Sequence, residues 1–256
     1  MKPSISLRSL RTLRSPILHK HKQIPRLTAS FLRTNTFQPR TFTKTTTKMS
    51  FSNTDTGSKT ADPYTAKNKD ETSIQEKVED LSAFVKACKF GMMTTRDGSS
   101  GALVSRCMAL AAQETGGIDL IFHTNTESGK TNDIDSDSHI NISFLNSSGE
   151  WASVSGKASI LTDRSVVKKY YSPTLKAWLG DLGDGKHDGS ENDPRIGVIR
   201  VEAVTATYAV VRKNAVSRAA EMAQGVITGK APAVNKLREL SEQDIATWRS
   251  SNKMVN

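Results

Sequence analysis

The stretch FGMMTTRDGSSGALVSRCMALAAQETGGIDLIFHTN, Phe90–Asn125, reads as three β-strands joined by two tight turns. Phe90–Arg96 is a short apolar and β-branched run that stops at Asp97-Gly98, a dipeptide suited to the positive-φ turn of a hairpin. Ala102–Ala112 is a second run, closed by Gly116-Gly117, and Ile118–Asn125 is a third. Turns this short join antiparallel neighbours, because a parallel pair needs a long crossover between its strands.

The same grammar continues downstream. Thr126–Ser138 is a polar, acidic excursion with helix-capping residues at its start. Ile140–Asn146 reads as a fourth strand, and Trp151–Leu161 as a fifth that alternates through Val154, Ala158 and Ile160. Arg164–Tyr171 and Leu175–Leu179 read as short helices on either side of Pro173. Residues 180–194 read as a Gly/Asp loop, and Ile196–Val211 as one long or bent final strand. Upstream, Ser73 and Glu76 have capping-box spacing, and Ile74, Val78, Leu81, Val85 and Cys88 recur on one helical face. This spacing predicts a helix over 73–88, with Cys88 as a small core residue. Strands joined by short turns, with one helical excursion, favour an antiparallel barrel over alternating parallel βαβ units. Beyond Arg212, residues 215–224 and 233–240 read as weak helices in a C-terminal tail, 213–256.

The charge lies outside this barrel. The 256 residues carry 36 Lys+Arg and 26 Asp+Glu, a net +10. Residues 1–50 hold eleven basic and no acidic side chains, which leaves 25 basic against 26 acidic in the rest. A nucleic-acid-binding domain needs its basic surplus on the folded part, so no nucleic-acid partner is expected. No apolar run reaches membrane-spanning length, and no integral membrane contact is expected. Residues 1–48, rich in Arg and Ser and free of acids, read as a transit-peptide-like leader, implying a mitochondrial location. Translation from Met49 would instead leave the protein in the cytoplasm. Residues 49–70 have too little apolar surface to fold alone and read as a disordered linker, so the barrel domain spans 71–212.

Chemistry concentrates in two places. Thr124-Asn125-Thr126-Glu127-Ser128-Gly129-Lys130-Thr131 ends like a P-loop but has Thr124 where the first glycine belongs, which excludes a nucleotide-hydrolysing loop. What remains is a strand end, a hydroxyl, a glycine and a lysine at a helix start, a set that suits a phosphate. Arg106 interrupts an otherwise small and apolar strand, and adjacent antiparallel strands bring it towards Thr124, Ser128 and Lys130. Asp133, Asp135 and Asp137 have the spacing of a calcium loop but lack its glycine and its bidentate glutamate, so they read as a solvated helix face. The cysteines and histidines are too scattered for a metal site, and none is expected. Trp151 and Trp178 read as core or interface aromatics.

The order of these segments resembles the pyridoxamine 5′-phosphate oxidase-like FMN-binding split barrels. More closely, it is similar to the general stress protein 26 group and its fungal, blue-light-inducible members. The marks are Gly91-Met92-Met93-Thr94-Thr95, Ser105-Arg106-Cys107-Met108, Ile121-Phe122-His123-Thr124-Asn125, Ser128-Gly129-Lys130, Trp151-Ala152-Ser153-Val154-Ser155-Gly156, Asp163-Arg164 and Lys176-Ala177-Trp178. The resemblance implies a six-stranded split barrel that dimerises with FMN at the subunit interface. It implies Arg106 and Lys130 on the FMN phosphate with Ser128 assisting, and Thr124 along the ribityl or phosphate side. It also implies backbone around Cys107 and Met108 facing the flavin ring, and Trp151 approaching that ring, from the second subunit in one arrangement. An FMN-dependent oxidoreductase drawing on NADH or NADPH would follow, linked to stress or light response, with a non-catalytic flavin-binding protein as the alternative. Two departures argue against a true pyridoxamine 5′-phosphate oxidase. The position five residues after Arg106, where those enzymes place a substrate lysine, is Ala111. Their C-terminal Trp-Arg signature is missing too, since Trp248-Arg249 falls in a polar tail.

Overall fold

In a computed structural model the described residues run from 62 to 253, residue 213 excepted. The leader 1–48 and residues 49–61 of the linker lie outside them. The chain order is α1 (Pro63–Asn68), α2 (Ile74–Cys88), β1 (Phe90–Arg96), β2 (Leu103–Glu114), β3 (Asp119–Asn125), α3 (Gly129–Ser136), β4 (His139–Leu145) and β5 (Trp151–Leu161). It continues with α4 (Arg164–Tyr170), α5 (Thr174–Leu179), β6 (Ile196–Val211), α6 (Ala215–Thr228), β7 (Asn235–Leu240) and α7 (Glu242–Lys253).

Every strand pairing is antiparallel, in the order β3-β2-β1-β4-β5-β6-β7, and β3 also pairs with β6. That last pairing closes a six-stranded barrel and explains the length of β6. Its first part, Ile196–Val201, pairs with β3, and its last part, Ala206–Val211, pairs with β7. Its other edge runs along β5 from Trp151 to Leu161. The β5–β6 register shifts at Ser155/Gly156, where a Cβ on Gly156 would sit 2.4 Å from the Glu202 carbonyl oxygen. Only glycine fits that bulge.

The barrel interior is apolar, with Met93, Phe122, Ile142, Phe144, Val154, Ile199 and Tyr208 essentially inaccessible. Helix α2 adds Val78, Leu81, Phe84 and Val85 to this core. Ser73 caps its start through the Glu76 N–H, as the spacing predicts. The reciprocal half of the box does not form, because the Glu76 carboxylate binds Thr72 and Arg238 instead. A second cluster, Ile121, Val167, Ile196 and Val198, lies under α4 and α5 on the outer surface of β3 and β6.

Two expectations are corrected here. Residues 235–240 are the strand β7 and not a helix, because β6 continues past its pairing with β3 and offers an open edge that a weak helical preference does not outweigh. Part of the linker is structured: α1 is capped by Asp62, and its fully buried Asn68 bonds the Pro232 carbonyl and the Asn235 N–H. Trp178 belongs to no core and is 86% exposed.

Candidate anion site at the head of α3

β2 presents Arg106 inward opposite Met93, next to Thr95 on the same face of β1. Its guanidinium Nη1 donates to Thr95 Oγ1 at 2.8 Å and Nη2 donates to Asp133 Oδ2 at 3.0 Å. Thr95 in turn donates to the same Oδ2 at 2.9 Å, closing a triangle. Asp133 is 4% exposed, so it is not part of a solvated acidic face. Helix α3 turns Asp133 and Ile134 inward and Asp135 outward. The i,i+3 spacing of Lys130 and Asp133 was the available sign that this acid shares a face with the lysine.

β3 ends in a tight turn organised by the Asn125 carbonyl, which accepts from the Ser128 N–H at 3.1 Å and the Ser128 hydroxyl at 2.7 Å. No side chain caps α3, whose first residue Gly129 faces open space. The Lys130 ammonium donates to Ser128 Oγ at 2.7 Å. Burial, and then the positive charge of Arg106, hold its pKa below the usual lysine range. A half-buried lysine and a part-exposed arginine, the latter paired with Asp133, are therefore held as neighbours at an uncapped helix N-terminus. Mutual repulsion makes this arrangement costly alone, and an anion placed between them relieves it. A phosphate monoester, doubly charged above about pH 6, fits this donor set.

Arg106, Ser128 and Lys130 are thus brought together, and Thr124 lies at the strand end leading into them, buried, with its hydroxyl on the Asn125 carbonyl at 3.1 Å. Cys107 is exposed on the outer sheet face opposite Met92, whereas the Met108 side chain enters the core and leaves only backbone for a ligand. Trp151 is not part of the cluster. Arg106 faces Met93, Met93 faces Ile142 and Ile142 faces Val154, so Trp151 is three strands across and three residues along. That is about 14 Å by 10 Å within one chain. His123 bonds the Tyr170 carbonyl at 2.8 Å, and burial lowers its pKa.

The departures from a pyridoxamine oxidase have physical form. Ala111 is the extra residue where the β2–β3 register shifts, and it packs against the outer cluster near α4. Trp248 and Arg249 do not hang in a polar tail. The Trp248 indole donates to the Thr115 carbonyl at 2.9 Å, and Arg249 Nη1 donates to Asp119 at 2.7 Å. They fasten α7 to the β2–β3 connection, about 26 Å along β2 from Arg106. A cavity of about 650 Å³ opens there, but its arginines are already matched, Arg200 with Glu114 and Arg249 with Asp119. No described helix is long and apolar enough to cross a membrane.

A closed antiparallel six-stranded barrel with flanking helices is the split-barrel fold. The chain belongs to the family described as pyridoxamine 5′-phosphate oxidase like, whose model matches residues 76–233. It is 65% identical to Protein bli-3 of Neurospora crassa over 204 residues, 79% of this chain and 98% of that one. Among solved structures, one described as a general stress protein 26 from Jannaschia sp. CCS1 superposes with a TM-score of 0.50 at 14% identity, covering 66% of this chain and 99% of its own. The general stress protein 26 of Bacillus anthracis str. Sterne gives a TM-score of 0.43 at 22% identity, covering 53% of this chain and 92% of its own.

Proposed function

We propose that this protein binds FMN at the head of α3 and acts as an oxidoreductase, with NADH or NADPH as the electron donor and an acceptor still to be identified. The observation that carries the reading is the pair of neighbouring cations, Arg106 and the half-buried Lys130, at an uncapped helix start. Those two residues and Ser128 are the ones that resemblance to the family implies for the flavin phosphate. Arg106 offers a fork-shaped donor and Lys130 a compact charge, so together they suit the terminal phosphate of a mononucleotide. Backbone around Cys107 and Met108 would lie along the ring, and Thr124 along the ribityl or phosphate side. When bound, FMN supplies reversible two-electron chemistry, including hydride acceptance from a nicotinamide. The protein's part is to hold and orient the cofactor.

We further propose that the chain works as a homodimer through the outer face of β2, β1, β4 and β5. That face exposes Phe90, Met92, Leu103 and Leu145 around Thr94, Ser105 and Ser143, with charge only towards one end, at Arg96 opposite Leu103 and at Lys157 opposite His139. Apolar residues with few charges mark the centre of a protein interface. Dimerisation is also the route by which Trp151 could reach a flavin, since within one chain it stands well away from Arg106.

A non-catalytic flavin-binding stress protein is the second reading. It is favoured by the acid–base inventory at the site: Asp133 is committed to Arg106, and no described histidine joins the cluster. A vitamin B6 oxidase is not supported, given Ala111 and the remote anchoring of Trp248 and Arg249. The deciding experiment is the visible spectrum of the purified protein, followed by anaerobic addition of NADH or NADPH. A flavin spectrum that bleaches supports the oxidoreductase. A flavin spectrum that persists favours the carrier, and failure to take up added FMN overturns both.

A further inference from the structure

Resting on the flavin reading, we propose that Asp133 is the positioning residue that aims Arg106 at the phosphate, with Thr95 as its second support. The argument begins with the cost of holding an arginine still. A free guanidinium on its flexible stem loses much rotamer entropy when it is fixed, and that loss weakens binding unless folding has already absorbed it. Here folding itself holds Arg106, through Thr95 at 2.8 Å and Asp133 at 3.0 Å. Thr95 is itself 1% exposed and tied to Asp133 at 2.9 Å, so the support is rigid.

The placement of Asp133 adds a second effect. It lies on α3 one turn after Lys130, so one short helix carries both the second cation and the acceptor that holds the first. The spacing of the two cations is thereby set by a single rigid element. The carboxylate also offsets the repulsion between them, and its pairing with Arg106 at 3.0 Å largely neutralises its own charge. Both hydrogen bonds converge on Oδ2, so one carbonyl-type oxygen is enough to make them. An asparagine can therefore replace the aspartate geometrically while removing its charge.

The test compares FMN with riboflavin, which lacks the phosphate, by fluorescence titration of the full chain and of Asp133→Ala, Asp133→Asn and Thr95→Val. Asp133→Ala should weaken FMN about tenfold or more and riboflavin less than about twofold, and Asp133→Asn should recover FMN affinity to within about threefold. A general structural role would instead lower both affinities together. Equal losses for the two ligands, or an Asp133→Asn protein as weak as Asp133→Ala, overturns the proposal. If Asp133→Ala does not fold, Thr95→Val carries the test, and an unchanged FMN-to-riboflavin ratio there also overturns it. A wild-type chain that binds FMN alongside a normal Asp133→Ala sinks this inference alone. A wild-type chain that binds no FMN sinks the flavin reading as well.

Discussion

Replacing Lys130 with alanine should separate binding from stability, in opposite directions. The lysine is half-buried, its ammonium donates to Ser128 Oγ, and its charge is disfavoured by burial and by Arg106. Removing it relieves that repulsion and leaves Ser128 still bonded to the Asn125 carbonyl. Folding stability should therefore hold or rise slightly. FMN, however, loses one charge-assisted contact to its phosphate, worth about 1.5–3 kcal/mol, or roughly 10- to 150-fold in Kd. Arg106→Ala should lose a similar amount of binding but also destabilise the fold. It strands Asp133, 4% exposed, with Thr95 alone, at a cost of about 2–4 kcal/mol. Fluorescence quenching of FMN gives the first quantity and urea unfolding of the apoprotein gives the second. A Lys130→Ala protein with wild-type FMN affinity, or one destabilised as much as Arg106→Ala, would refute the reasoning.

The pH dependence of FMN binding should show the same lysine. Its pKa is depressed in the free protein, so its charge is lost as pH rises through a value below the usual lysine range. Affinity should fall there, and Lys130→Arg, whose cation persists, should flatten the alkaline limb; a wild-type affinity that stays constant into the ordinary lysine range contradicts this. Arg238→Met should destabilise the fold by about 3 kcal/mol, measured by urea unfolding. The buried guanidinium is shared by Asp70 at 2.8 Å, Asp80 at 2.6 Å and Glu76 at 2.6 Å, and its loss leaves Asp70 to Arg212 and the other two acids to the longer contacts of Lys236; a loss under about 1 kcal/mol would show the network to be peripheral. Leu145→Asp, at a residue 72% exposed on the outer sheet face, should convert the proposed dimer to monomer in sedimentation velocity without changing the apoprotein fold. An unchanged sedimentation coefficient would move the interface elsewhere.

Much of the barrel was legible in local pattern. Gly116-Gly117 marks its hairpin turn, alternation marks Trp151–Leu161, and Ser73 marks the start of α2; the β1–β2 turn begins at Asp97 but takes its positive φ at Gly101, not at Asp97-Gly98. These signals are short-range: a turn needs its own residues, and a half-buried strand needs a period of two. Arg106 was also visible by itself, because a lone charge in a small, apolar strand demands an explanation.

What tertiary structure decided lies between elements far apart in the chain. The β3–β6 pairing that closes the barrel joins residues more than seventy apart, and the edge it leaves on β6 turned 235–240 into a strand. Asp133 belongs to an acidic run whose sequence reads as solvent-facing, and only the docking of α3 against β1 buries it under Arg106. Trp248 and Arg249 read as tail until Thr115 and Asp119 meet them across more than a hundred residues. The physical reason is common to all three. Residue type and spacing determine what a segment can do locally, while burial and ion pairing depend on which surface arrives opposite it.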